Sequence, residues 1–273
     1  MSDWQQDDLA APAPGAMGWL RILWRGGILG GLIYLCLFLL LAVRLVERPL
    51  FGMARPWTPF ITQFVCRCTF AILRLPLTLR GTPMVERGAI VANHASWLDI
   101  FALNAAQRIY FVAKSEVAHW AAIGWLARAT GTVFVARKGG EAKVQQGVFE
   151  ERLRAGHRLL FFPEGTSTDS IRVLPFKSTL FAAFYTHGLD QIMHIQPVTV
   201  VYHAPAGQDV RYYGWWGGMG FAGHLLKVLA TQKQGRVEVI LHDPIPVDRF
   251  ADRKALAAEC EKVIRAGHGL AVP

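Results

Sequence analysis

Acidic residues are scarce in this chain. Asp and Glu number 20 against 29 Lys and Arg in 273 residues, a formal net charge of +9, and all charged residues together make only 18%. That shortage excludes an acidic, self-solvating disordered polypeptide. The cation surplus suits an anionic partner, nucleic acid or a membrane face, and 52% apolar residues with 9 tryptophans tilt this towards membrane and away from nucleic acid. Cysteine is sparse too. Cys66-Arg67-Cys68 is tighter than the C-x2-C arm of a zinc site and no second arm follows, while Cys36 and Cys260 stand alone. The four read as reduced, mostly buried thiols, consistent with a cytoplasmic catalytic domain. There is no Gly-Lys-Ser/Thr phosphate loop, no HExxH and no dinucleotide glycine fingerprint. The remaining histidines, His119, His157, His187, His194, His203, His224, His242 and His268, lack metal-ligand spacing and read as structural or surface groups. Neither a metal nor a bound nucleotide is expected.

One long uncharged run is present, residues 26–43, between Arg25 and Arg44. It is close to the roughly 18-residue minimum for a membrane-crossing helix. A signal peptide is disfavoured, because no small-residue cleavage site follows and Arg44 and Arg48 come at once. A re-entrant or interfacial helix is the alternative to a crossing one. Arg21 and Arg25 precede the run, and Arg44, Arg48, Arg55, Arg67 and Arg74 follow it. The positive-inside rule therefore puts the C-terminal part on the cytoplasmic side of the cell (inner) membrane. Residues 55–79 mix bulky apolar residues with spaced arginines, as in an interfacial helix or one packed on the domain. The expected division is a tail over residues 1–25, a membrane-embedded and interfacial helical segment over 26–78, and a catalytic domain over 79–273.

Downstream, apolar runs alternate with amphipathic stretches. Strands are expected at 89–92, 108–113, 131–136, 158–162, 195–202 and 237–242. Helices are expected at 97–106, 117–129, 141–155, 179–186 and 248–266. Alternation of this kind indicates an α/β fold with a largely parallel sheet flanked by helices. The unbroken apolar texture of the strands fits a sheet covered on both faces. Functional sites in such sheets gather at the carboxyl ends of strands. The aromatic and glycine-rich residues 212–229 read either as an interfacial lip or as core packing ahead of an apolar helix.

Two strand ends carry the candidate chemistry. The first is ANHASWLD, residues 92–99. At its simplest, Ser96 with Asp99 three residues later is a helix start. His94 just past a strand, with Asp99 in the first helical turn, also makes a general base and the carboxylate that orients it. The second is LLFFPEGTSTD, residues 159–169, a strand running into a turn whose amides and hydroxyls suit an oxyanion or polar head group.

Together these segments resemble the lysophospholipid acyltransferase family, typified by 1-acylglycerol-3-phosphate acyltransferases. The N-H-x4-D motif is matched by Asn93, His94 and Asp99, and F-P-E-G-T-[RS] by Phe162, Pro163, Glu164, Gly165, Thr166 and Ser167. GTVFVARK supplies Gly131 and Arg137, IQPVTV supplies Pro197, and PFKSTLF supplies Phe176 and Lys177. The resemblance covers about residues 80–205 and implies a glycerol-3-phosphate acyltransferase-like fold. It implies that His94 takes the proton from the acceptor hydroxyl, with Asp99 orienting it. Arg137, Glu164, Gly165, Thr166, Ser167 and Lys177 would hold the acceptor. The co-substrate would be an acyl thioester of acyl carrier protein or coenzyme A, with no resident cofactor.

The first acceptor expected is 1-acyl-sn-glycerol-3-phosphate, giving phosphatidate for phospholipid biosynthesis. One departure favours another. Members acting on lysophosphatidate commonly carry Arg after E-G-T, suited to bidentate phosphate contact, where this chain has Ser167. Residues 164–181 look similar to the branch that acylates lyso-ornithine lipid. A non-catalytic membrane lipid-binding protein is the alternative from a different class, and the intact His94 and Asp99 argue against it.

Overall fold

The computed structural model describes Trp4 and residues 13–121, 123–135 and 142–269. Helix α1 (Ala16–Phe51) has 36 residues and outruns the apolar segment at both ends. At 1.5 Å per residue it is about 54 Å long. It is long and apolar enough to cross a membrane by length and composition. Its buried positions include Ile22, Arg25, Leu29, Cys36, Leu40 and Glu47, spaced by three, four or seven residues on one stripe. The opposite side exposes Leu23, Leu35, Phe38 and Leu45. The helix therefore lies along the protein on one side and offers hydrocarbon on the other.

Helix α2 (Thr58–Leu73) starts with Pro59 in its first turn and ends with Arg74 in the left-handed conformation. The corner between α1 and α2 is built on Glu47, which is fully buried. Its carboxylate accepts from the Trp57 amide at 2.8 Å, the Thr58 amide at 3.0 Å and hydroxyl at 2.7 Å, and from Arg44 Nη1 at 3.0 Å.

The α/β domain contains strands β1 (Leu77–Arg80), β2 (Gly88–Ala92), β3 (Tyr110–Lys114), β4 (Val133–Val135), β5 (Leu159–Phe161), β6 (His194–His203), β7 (Arg236–Leu241) and β8 (Ile245–Pro246), with helices α3 (Leu98–Ala106), α4 (Ile123–Thr130), α5 (Ala142–Arg154), α6 (Phe221–Ala230) and α7 (Arg253–His268). The sheet order is β1-β7-β6-β2-β5-β3-β4, with β8 also on β6. Strands β6-β2-β5-β3-β4 run parallel, while β7 and β8 pair antiparallel with β6. Alternate residues of β2 serve opposite faces. Ile90 and Ala92 pack towards α1, α2, α3 and α6, and Ala89 and Val91 towards α5 and α7. All five β2 residues are buried, matching the apolar, non-alternating texture of the sequence.

Three expected helices differ in detail. Residues 117–129 break into a 3₁₀ turn (Ser115–His119) and α4. Arg128 Nη2 donates to the Ala118 carbonyl at 2.6 Å, and a Cβ on Gly124 would lie 2.3 Å from that same oxygen, which is why glycine stands there. Residues 180–185 form a 3₁₀ turn, not an α-helix, and the chain reverses after it through left-handed His187 and Gly188. The last helix begins at Arg253, not at 248, because Asp252 is the cap, accepting from the Lys254 and Ala255 amides. Cys36, Cys66 and Cys260 are buried free thiols and Cys68 is half-buried.

Gly88 opens β2 with φ 153°, and a Cβ there would lie 1.7 Å from the His194 carbonyl oxygen. Any side chain forces β2 away from β6, the pairing that carries the site. Gly88→Ala is expected to lower stability by more than about 4 kcal/mol, read as loss of a cooperative thermal transition in detergent.

Candidate active site

The site forms where β2, β5 and β6 end side by side. Val91 pairs with Phe161 on one side and with Pro197 on the other. Beyond Ala92 the side chain of Asn93 replaces the backbone ladder. Its Nδ2 donates to the Val200 carbonyl at 2.9 Å and its Oδ1 accepts the Val200 amide at 2.8 Å. The backbone of His94 is thereby released from the sheet.

His94 Nδ1 lies 2.7 Å from Asp99 Oδ2. The same oxygen accepts from the Ala95 amide at 2.8 Å and the Ser96 amide at 3.0 Å. Half of a capping box is present: the Asp99 carboxylate reaches back to Ser96, but α3 begins at Leu98 with Trp97 as its cap, and the Ser96 hydroxyl stands 3.4 Å from the Leu98 amide. Asp99 Oδ1 accepts from the Tyr202 hydroxyl at 2.6 Å. Asp99 is 0% exposed, whereas the His94 side chain is 19% exposed. The imidazole stacks on Phe162, ring centroids 4.0 Å apart and 11° from parallel. Its Nε2 makes no hydrogen bond to a described residue. An imidazole held at Nδ1 by a buried carboxylate, with Nε2 open, is the geometry of a general base.

The turn after β5 is tied to the same loop. Glu164 Oε1 accepts the His94 amide at 2.6 Å and Oε2 accepts the Leu174 amide at 2.6 Å. Thr168 donates to the His94 carbonyl through its amide at 2.9 Å and its hydroxyl at 3.1 Å. Burial pushes the Glu164 carboxyl up to about 8, against the pull of the Leu174 and His94 amides. Glu164 was expected to hold the acceptor head group. Its carboxylate instead faces inward, 1% exposed, and joins two loops. Gly165 has φ 74°, and the Lys177 ammonium lies over it, 2.9 Å from where a Cβ would be. Thr166 is exposed and Ser167 half-buried at the same turn. Arg137 lies outside the described residues. Among the described residues, no group of three or more His, Cys, Asp or Glu is arranged to hold a metal.

Trp97 Nε1 donates to His224 Nδ1 at 2.9 Å, fixing the loop to α6. Burial drives His224 down to about 3, so its ring is neutral and its Nδ1 a permanent acceptor. Trp215 donates its amide to the Ala95 carbonyl at 2.8 Å. Tyr213 and Trp216 are buried, which makes the aromatic run chiefly core. Tyr202, Leu174 and His224 were not anticipated from the sequence. Tyr202 carried one signal: it lies on the strand of Pro197, at the end where sites gather.

This mixed, mostly parallel sheet carries its histidine–aspartate pair at the ends of parallel strands, and residues 78–201 match the family model described as Acyltransferase. The lyso-ornithine lipid O-acyltransferase of Rhodobacter capsulatus is 58% identical over 267 residues, 97% of each chain. A 1-acyl-sn-glycerol-3-phosphate acyltransferase of Neisseria gonorrhoeae is 30% identical over 190 residues, 68% of this chain and 72% of its own. The crystal structure of the 1-acyl-sn-glycerophosphate (LPA) acyltransferase PlsC from Thermotoga maritima shares the fold, with a TM-score of 0.57 at 21% identity over 87% of this chain and 94% of that one. The chain belongs to the acyltransferase family.

A raised Glu164 has a consequence for stability. The folded protein holds that proton more tightly than the unfolded chain, where an ordinary carboxyl titrates near 4.5. The stabilisation is complete below that pH and is lost as pH rises towards 8. Glu164→Gln removes this slope: its thermal midpoint should vary less than the wild type's between pH 5 and pH 8, followed by differential scanning fluorimetry. Parallel pH curves would contradict the assignment.

Proposed function

We propose that this enzyme transfers a fatty acyl group from an acyl thioester to the free hydroxyl of lyso-ornithine lipid. The observation that carries the chemistry is the His94–Asp99 pair, with Nδ1 held at 2.7 Å and Nε2 open. His94 Nε2 takes the hydroxyl proton as the oxygen attacks the thioester carbonyl. The tetrahedral adduct collapses, the C–S bond breaks, and the imidazolium returns its proton to the leaving thiolate. Asp99 stabilises the imidazolium and keeps the Nδ1–H tautomer. The thioester is consumed as co-substrate, carried by acyl carrier protein or coenzyme A, and no resident cofactor enters the step.

Two observations favour lyso-ornithine lipid over 1-acylglycerol-3-phosphate. The relative matching 97% of the chain is named for it. Ser167 offers a hydroxyl where a phosphomonoester would call for a guanidinium. Lysophosphatidate is the second reading, supported by the Neisseria relative and by the Lys177 cation over Gly165.

The packing of α1 along the domain supports an enzyme embedded with one side in lipid. Arg25 binds the Leu229 and Thr231 carbonyls near one end of α1, and Leu40 packs beside Ile109 and Tyr110 towards the other. We place this body on the cytoplasmic face of the inner membrane, where soluble acyl thioesters are at hand.

His94→Ala should keep the wild-type thermal transition and lose acyl transfer by about 10²–10⁴-fold, measured with labelled acyl-acyl carrier protein; retained transfer would sink the mechanism. In the same assay, lyso-ornithine lipid should be consumed at least about tenfold faster than lysophosphatidate. The reverse preference would establish the second reading.

A further inference from the structure

Asp99 is fully buried, yet its two oxygens receive four donors: His94 Nδ1, the Ala95 and Ser96 amides, and the Tyr202 hydroxyl. Three of them lie on Oδ2. Tyr202 alone is bound to Oδ1, at 2.6 Å, from a strand 103 residues away. We propose that Tyr202 is a positioning residue of this enzyme, completing a His94–Asp99–Tyr202 relay in which its phenol both locks the carboxylate plane and sets how strongly Asp99 draws on the imidazole. The proposal rests on His94 being the general base.

The geometric half follows from where the donors sit. A carboxylate bonded only through Oδ2 is free to swing about its Cβ–Cγ axis, and the His94 ring would follow. The phenol on Oδ1, projecting from β6 beneath α3, removes that freedom. Tyr202 is itself held against Tyr213, ring centroids 5.6 Å apart, and the Tyr213 hydroxyl is anchored on Gln234 Oε1 at 2.7 Å.

The electrostatic half concerns the charge left on Asp99. Each hydrogen bond to an ionised carboxylate spreads its charge and weakens its hold on the neighbouring imidazolium. Burial, then the Asp99 charge, raises the Tyr202 phenol far above its ordinary range, and it remains a donor throughout the working range. Without it, Oδ1 is left with no partner in a dry pocket. The excess negative charge then stabilises protonated His94, and the base loses its proton only at higher pH. Of the other ionisable groups around the pair, Glu164 is bonded to the His94 amide and in turn feels the Asp99 charge and that of Arg265 on α7. His224, reached through Trp97, is neutral, and the Tyr213 hydroxyl is engaged by Gln234 and the Gly235 amide.

The test is Tyr202→Phe in the full-length protein in detergent, with kcat/KM for acyl transfer measured from pH 5 to 9. The acid limb of the wild type should move up by about half a pH unit or more in the variant, with activity lowered at every pH and most steeply below the limb. Tyr213→Phe, which perturbs the same core without touching Asp99, should leave the limb in place. A Tyr202→Phe enzyme with an unmoved limb, whether or not its rate falls, would overturn the proposal by assigning Tyr202 to packing alone. Replacing all 6 tyrosines by 3-fluorotyrosine covers the case in which Tyr202→Phe does not fold. The more acidic phenol donates more strongly and should shift the limb down, and no shift again overturns the relay. The wild-type profile and His94→Ala report separately on the base itself. If His94→Ala keeps its activity, the general-base reading fails; if it is inactive while Tyr202→Phe keeps the wild-type limb, only the relay fails.

Discussion

The side chain of Asn93 stands in for one residue of backbone, and the site depends on that substitution. Strands β2 and β6 pair up to Ala92 and Val198. One step further, Val200 would call on the two neighbours of its register partner His94, the Asn93 carbonyl and the Ala95 amide. Asn93 meets the demand at Val200 with both ends of its amide. Few side chains have a donor and an acceptor in that arrangement. The His94 backbone can then turn away without leaving a buried N–H or C=O orphaned on β6, an omission that would cost about 1–3 kcal/mol. The motif's asparagine is thus a structural device that makes the adjacent histidine available for chemistry.

The amide and carbonyl of His94, on the β5 side of the chain, are taken up by the turn after β5. Glu164 receives the His94 amide and Thr168 donates twice to its carbonyl. The two signature segments, 70 residues apart, are therefore tied to each other by hydrogen bonds to the His94 backbone. The buried Glu164 carboxyl ties the two loops together by accepting one amide from each, in a dry setting where an unpaired polar group would be expensive. Phe162 adds the platform beneath the ring. Two residues of the F-P-E-G-T run, Phe162 and Glu164, thus have local duties, while Thr166 stands exposed and Ser167 half-buried at the same turn.

The sheet and the His94–Asp99 pair were legible in the sequence because each rests on local pattern. β2 and β5 are short, wholly apolar runs, and His94 and Asp99 are five residues apart across a strand-to-helix junction. What escaped was long-range or inward-facing. Tyr202 reads as one more apolar residue in a buried strand until α3 is laid over it. Glu164 reads as an acceptor ligand through the family resemblance, and nothing local announces the amides of His94 and Leu174. Edge strand β1 hid at the end of the stretch 55–79, where its first three residues merged with the apolar texture of α2. The expected helix at residues 179–186 has the right composition for an α-helix, but the left-handed His187 and Gly188 immediately after it reverse the chain, and a 3₁₀ turn forms.

The same packing that positions the base also links it to the membrane helix. Helix α6 ends with carbonyls at Leu229, Ala230 and Thr231 that accept from Arg21 and Arg25 of α1, at 2.6 to 2.9 Å. Cations at a helix C-terminus satisfy its last acceptors and complement its dipole. At its other end α6 carries His224, which holds Trp97 in the loop between His94 and Asp99. A neutral His224 accepts that indole N–H without adding charge beside the reacting pair. The helix facing hydrocarbon, the helix it caps and the loop bearing the base therefore form one continuous brace. Arg21 and Arg25, which by sequence alone counted only as charges flanking an apolar run, are thus the contacts that fasten α1 to the helix bracing the His94–Asp99 loop.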